Sequence, residues 1–88
     1  MDAYSVRFKS SVEKDLRPLT QALVSRVLKR IESLKSDPFP SGMSKLSGAE
    51  RLYRIRVGDY RIVYEVDIAA LQVTIQHVRH RREVYRKL

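Results

Sequence analysis

The chain has 88 residues, no cysteine, and a formal charge of +8 from 18 Lys and Arg against 10 Asp and Glu. That length accommodates one hydrophobic core, so a single domain over residues 1–88 is expected. The absence of thiols excludes a disulfide framework, a thiolate zinc site and a cysteine nucleophile, and fits a reducing, cytoplasmic setting.

Tyr4, Val6 and Phe8 alternate with Ser5, Arg7 and Lys9, which predicts a short strand with one apolar face. Ser10 followed by Glu13 has the spacing of a capping box, so a helix carrying Val12 and Leu16 on one face is expected to start there. Pro18 is favoured in a first helical turn and marks a second helix from about that point. Its apolar stripe is Leu23, Val27, Ile31 and Leu34, widened by Val24 and Leu28, with Arg26, Lys29, Arg30 and Glu32 facing away. Asp37-Pro38-Phe39-Pro40 stops that helix and opens a loop that runs to about Gly48.

The apolar period then drops to two. Tyr53, Ile55 and Val57 alternate with Arg54 and Arg56; Gly58-Asp59 is a two-residue turn signal; Tyr60, Ile62, Tyr64 and Val66 follow. Asp67 to Ala70 makes a further turn, and Leu71 to Val78 a third strand of the meander. The basic tail, Arg79 to Leu88, is expected to end in a short helical turn. The order strand–helix–helix–strand–strand–strand predicts an α+β domain. Its antiparallel four-stranded sheet would carry two N-terminal helices on one face and leave the other face open to water. No apolar run approaches the ~20 residues of a membrane span. Nor does Met1-Asp2-Ala3 open a signal peptide, so no membrane association is expected.

Charge is the strongest functional clue. Twelve of the 18 basic residues are Arg, whose planar fork suits phosphate, so the partner should be a polyanion or an acidic protein. A two-residue Gly58-Asp59 loop pairs Val57 with Tyr60. It therefore sets Arg56 opposite Arg61, with Arg54 further along on the same face. Like charges directly opposite destabilise a sheet, and a phosphate between them would turn that repulsion into binding. Alternatively Glu65 and Asp67 neutralise the cluster, or its side chains splay into water. The tail adds Arg79, Arg81, Arg82, Arg86 and Lys87, with His80 and Tyr85 interleaved. Tyr85 has two readings, stacking on a base or packing its ring on the sheet. His80 is either a proton shuttle or a structural residue. There is no glycine-rich phosphate loop and no convincing metal-ligand spacing, so neither a cofactor nor a metal is expected.

Five segments together resemble the RelE/ParE superfamily of toxins from toxin–antitoxin modules, nearly end to end. They are Tyr4-Ser-Val-Arg-Phe8, the helix pair closing on Asp37-Pro38, Lys45-Leu46-Ser47-Gly48, Tyr53-Arg-Ile-Arg-Val-Gly-Asp-Tyr-Arg-Ile-Val-Tyr64 and His80-Arg-Arg-Glu-Val-Tyr85. The resemblance is closest to the RelE branch. It implies a ribosome-dependent messenger RNA endonuclease in which the 2′-hydroxyl attacks its neighbouring phosphate without a metal. By the same resemblance Arg54, Arg56, Arg61, Arg81 and Tyr85 would form the catalytic set, and Arg79, His80, Arg82, Arg86 and Lys87 would bind RNA. Arg56 and Arg61 would stabilise charge on phosphorus, Arg81 would sit by the leaving 5′-oxygen, and Tyr85 would stack on a base. Arg54 stands where some relatives carry a Lys proposed as the base, and a guanidinium is a poor base. The implied partners are an acidic RelB-like antitoxin in a higher-order toxin–antitoxin complex, and the ribosome with its messenger RNA and 16S ribosomal RNA. The ParE branch supplies the alternative, a DNA gyrase inhibitor that acts by binding.

Overall fold

The computed structural model describes residues 3–46, 48 and 51–81. In chain order they form β1 (Ser5–Phe8), α1 (Val12–Leu16), α2 (Gln21–Ser33), β2 (Ser44–Lys45), β3 (Leu52–Val57), β4 (Tyr60–Asp67) and β5 (Gln72–His80). The strands make one five-stranded sheet in the order β1-β5-β4-β3-β2. The α+β class and the strand–helix–helix–meander order agree with the sequence. The sheet differs in two respects from the four-stranded antiparallel one expected.

First, β1 runs parallel to β5, pairing Ser5 with Gln72 and Phe8 with Ile75. Apolar alternation fixes which face a strand shows, not the direction of its neighbour. Second, β2 adds an edge strand inside the expected loop, pairing Ser44 with Arg54 and Lys45 with Tyr53. Two residues carry no readable period. At the other end, Arg79 and His80 extend β5 rather than opening the tail. The short helical turn expected to end the Arg79–Leu88 tail falls beyond Arg81, outside the described residues.

The helix starts also differ. α1 begins at Val12, and its N-cap Ser11 makes no side-chain capping bond, so the Ser10–Glu13 box is not formed. Glu13 instead meets Arg17 one turn on, at 3.4 Å. α2 begins at Gln21 rather than Pro18, because the Thr20 hydroxyl accepts the Leu23 amide at 3.2 Å and caps the helix there. Val27, Ile31 and Leu34 are buried as the stripe predicts, but Leu28 is 42% exposed and Val24 only half-buried. The apolar face is therefore narrower than it reads. Together with Val12 it packs against Ile55, Ile62, Tyr64 and Val78 of the sheet in one core.

Two local features set the end of β5. The β4–β5 register slips between Val63 and Tyr64: Val63 pairs with His77, whereas Tyr64 pairs with Ile75. Gln76 is thus the extra residue of a β-bulge. Strict alternation from Val73 and Ile75 would point residues 77 and 79 into the core. The bulge sends Val78 there instead and turns His77 and Arg79 to the opposite face. β1 pairs only as far as Ile75, and α1 takes over that edge. The Val78 N–H donates to Asp15 Oδ2 at 3.0 Å, so a carboxylate supplies the acceptor that a longer β1 would have offered.

Tyr64 closes the core beneath the α2–β2 loop. Its hydroxyl is fully buried and donates to the Pro38 carbonyl at 2.7 Å. Burial is the largest influence on the phenol and pushes its pKa well above the ordinary value. The fold therefore favours the protonated phenol. Its contribution is therefore whole below the unfolded pKa, near pH ~10, and is lost as pH rises above that. Tyr64→Phe should cost about 1–3 kcal/mol at neutral pH by stranding the Pro38 carbonyl, measured by urea denaturation. The gap between wild type and variant should shrink above pH ~10. A gap that is constant, or widens, with pH contradicts this account.

Candidate nucleic-acid interface

The sheet face away from the helices carries the charge. The hairpin has the register read from Gly58-Asp59: Val57 pairs with Tyr60, Arg56 with Arg61, and Ile55 with Ile62. Gly58 supplies the turn with φ +57, a left-handed conformation that favours glycine. Because of the bulge, Arg61 also pairs with Arg79 on its other side. Three arginines therefore stand abreast on β3, β4 and β5, their backbones roughly 5 Å apart at each step. The next row along is Ser44, Arg54, Val63 and His77.

Arg56 is exposed and Arg54 half-buried, but Arg61 is only 5% exposed, and Val63 on the same face is also 5% exposed. This corrects the expectation that the whole face is open to water. β4 is the middle strand, so Arg61 has a long basic neighbour on each flank. The proposed neutralisation by acids does not occur. Asp67 lies 3.7 Å from Arg51 and accepts the Ala70 amide at 3.0 Å. Glu65 pairs with Leu52 and Thr74 in the ladder. Among the described residues no ion pair reaches Arg54, Arg56 or Arg61. Among the described residues, Arg79 is the one member of its row that approaches a carboxylate, with Nε 3.9 Å from Asp15 Oδ1.

Arg81 follows β5 directly. Its amide donates to the Asp59 carbonyl at 2.8 Å, tying it to the β3–β4 turn, and its side chain is exposed. His80 pairs with Tyr60, and the two rings meet edge to face with centroids 5.3 Å apart. By strand alternation it shares a face with Tyr60 and not with Arg61. Tyr85, Arg82, Arg86 and Lys87 lie outside the described residues.

Sequence reading left α2's basic residues in solvent, yet Arg30 lines one cleft of about 340 Å³ with Gly42, Ser44, Arg54 and Arg56. The signal was its i, i+4 spacing from Arg26, but nothing in the sequence shows that this flank of α2 meets β3. Asp15 was also missed, since one acid in a short helix gives no sign that it will hold a strand edge. The assembled surface is a set of guanidiniums on paired strands with little counter-charge among the described residues, which suits an oxyanion held by several forks at once.

Arg56→Glu should relieve the repulsion with Arg61 and replace it with an attractive cross-strand pair. A stability gain of a few tenths to about 1 kcal/mol in urea denaturation is expected, smaller at high salt. A loss of stability would show that Arg56 and Arg61 do not repel in the folded chain.

A family profile described as "ParE toxin of type II toxin-antitoxin system, parDE" matches residues 6–85. The chain is 28% identical over 85 residues to the toxin RelG of Mycobacterium tuberculosis, covering 96% of this chain and 98% of that protein. It superposes with a TM-score of 0.80 on the RelE–RelB complex from Pyrococcus horikoshii, at 32% identity, covering 90% of this chain and 96% of the other. The RelB–RelE antitoxin–toxin complex from Methanococcus jannaschii gives 0.76 at 27% identity, covering 93% and 98%. With its profile match, its named relatives and its fold in agreement, the chain belongs to the ParE toxin family of type II toxin–antitoxin systems and is a RelE-like toxin.

Proposed function

We propose that this toxin is a cytoplasmic endoribonuclease that inhibits translation by cutting messenger RNA in the ribosomal decoding site. The observation that carries the reading is the Arg56–Arg61–Arg79 row, with Arg54 beside it and Arg81 tied to the adjoining turn. Like charges abreast, one of them buried, weaken the free protein. They become favourable once a phosphate sits among them, and more so as negative charge grows on it.

In the proposed reaction the 2′-hydroxyl oxygen attacks the adjacent phosphorus and the bond from phosphorus to the 5′-oxygen breaks. The products are a 2′,3′-cyclic phosphate and a 5′-hydroxyl, and one proton leaves the 2′-oxygen as another reaches the 5′-oxygen. This chemistry needs alignment and charge stabilisation rather than a metal. Arg56 and Arg61 hold the phosphoryl oxygens, and Arg79 extends the grip towards β5. Arg81 stands by the leaving 5′-oxygen, and Tyr85 orients a base by stacking. Arg54 lowers the 2′-hydroxyl pKa by its charge rather than by taking the proton. His80 faces Tyr60, away from the row, so no proton role is given to it.

The solved neighbours are RelE–RelB complexes, and this supports an acidic RelB-like antitoxin as partner. The +8 charge would steer that association. An antitoxin that binds only the folded toxin raises its apparent stability by mass action. The complex should therefore melt above the free toxin, and equal melting temperatures at saturating antitoxin would contradict the partnership.

The profile's ParE description favours a second reading, inhibition of DNA gyrase by binding. Single-turnover cleavage on messenger-programmed ribosomes separates the two. Arg61→Ala and Arg81→Ala should each cut at least ~10-fold more slowly at saturating ribosomes, because each removes a charge-assisted contact of the transition state. Tyr85→Ala should lose activity while Tyr85→Phe retains it. Wild-type toxin that leaves the message intact but blocks supercoiling would establish the gyrase reading instead.

A further inference from the structure

The end of β5 carries Arg79 and leads directly into Arg81, yet it has left its neighbour β1, which pairs only as far as Ile75. It is held from two sides. On the inner flank the Arg81 amide donates to the Asp59 carbonyl of the β3–β4 turn at 2.8 Å. On the outer flank the Val78 amide donates to Asp15 Oδ2 at 3.0 Å. Val12, three residues before Asp15 on the same helix, is buried in the core, so the carboxylate comes from a helix that the core itself fixes.

Val78 is the last side chain of β5 in that core. Beyond it the strand borders a cavity of about 190 Å³, lined among others by Asp15, Leu19, Tyr60, Val78, Arg79 and His80. Hydrogen bonds therefore have more to do at this end than side-chain packing. A bond from a backbone amide to a carboxylate is among the stronger kinds. The other oxygen of Asp15 lies 3.9 Å from Arg79 Nε, too far for a hydrogen bond, so that contact is one of charge alone.

We propose that Asp15 is a positioning residue: by holding the Val78 amide it fixes the end of β5 and so sets Arg79 and Arg81 in place. The effect on cleavage rests on the proposed function; the coupling from Asp15 to Arg81 does not.

Two measurements on the whole toxin test it. In single-turnover cleavage on messenger-programmed ribosomes, Asp15→Ala should lower the rate at saturation at least ~10-fold, with the half-saturating concentration moving less. Asp15→Asn keeps an acceptor for the Val78 amide and should stay within about threefold of wild type. In an Arg81→Ala background Asp15→Ala should cost no more than about threefold further, because the two changes act through one contact. The second measurement is amide hydrogen exchange, which needs no cleavage. Asp15→Ala should speed exchange at Arg81 at least ~10-fold, while Ile62 and Tyr64 keep their protection and show that the variant is folded. Asp15→Asn falling as far as Asp15→Ala would place the effect in the charge beside Arg79 and overturn the proposal. So would full protection at Arg81 in Asp15→Ala, or an equal loss across the sheet, which would make Asp15 a residue of general stability. A wild-type toxin that cuts nothing would refute the nuclease reading, and exchange at Arg81 would still decide this one.

Discussion

The pairing of β3, β4 and β5 holds three arginines side by side, and the apolar half of the same strands supplies the energy to do so. Ile55, Ile62 and Val78 are cross-strand partners on the core face, one residue along from Arg56, Arg61 and Arg79 on the other. Sliding one strand by a residue would bury the charges and expose the core, so the register that builds the core also fixes the charged row. The arginines are thus carried on the paired strands that also build the core. A site that must align a phosphate and stabilise charge developing on it gains from such a mounting.

The bulge at Gln76 and the Asp15 carboxylate make the third arginine available. Without the bulge, residue 79 would fall on the core face. Without Asp15, the Val78 amide would be left at an edge that β1 has already abandoned. Asp15 also lies close to Arg79, so the group that secures the strand end partly balances the charge placed there. Arg54, Arg56 and Arg61 have no such partner among the described residues. The geometry therefore concentrates the unbalanced charge at Arg54, Arg56 and Arg61.

The sequence made the hairpin legible to the residue, because Gly58-Asp59 between alternating apolar runs determines the register. It also revealed the α2 stripe and the motifs that carry the family resemblance. What stayed hidden depended on long-range contacts. The parallel pairing of β1 leaves no trace in alternation, and β2 is too short to have a period. Val73, Ile75 and Val78 do record the bulge as a break in phase, and that break was the missed signal for Arg79. The burial of Arg61 and the approach of Arg26 and Arg30 to the β3 edge arise only when distant segments pack. The Ser10–Glu13 spacing was a local pattern that the structure does not use.

The central claim is that the arginine row acts on a phosphodiester of a message held in the ribosome. Mapping messenger 5′ ends by primer extension in a reconstituted translation reaction tests it most directly. The account predicts breaks inside codons that appear only when ribosomes are present and fall at least ~10-fold with Arg61→Ala. Breaks on naked message, breaks undiminished in Arg61→Ala, or an intact message under full inhibition of translation would each contradict it.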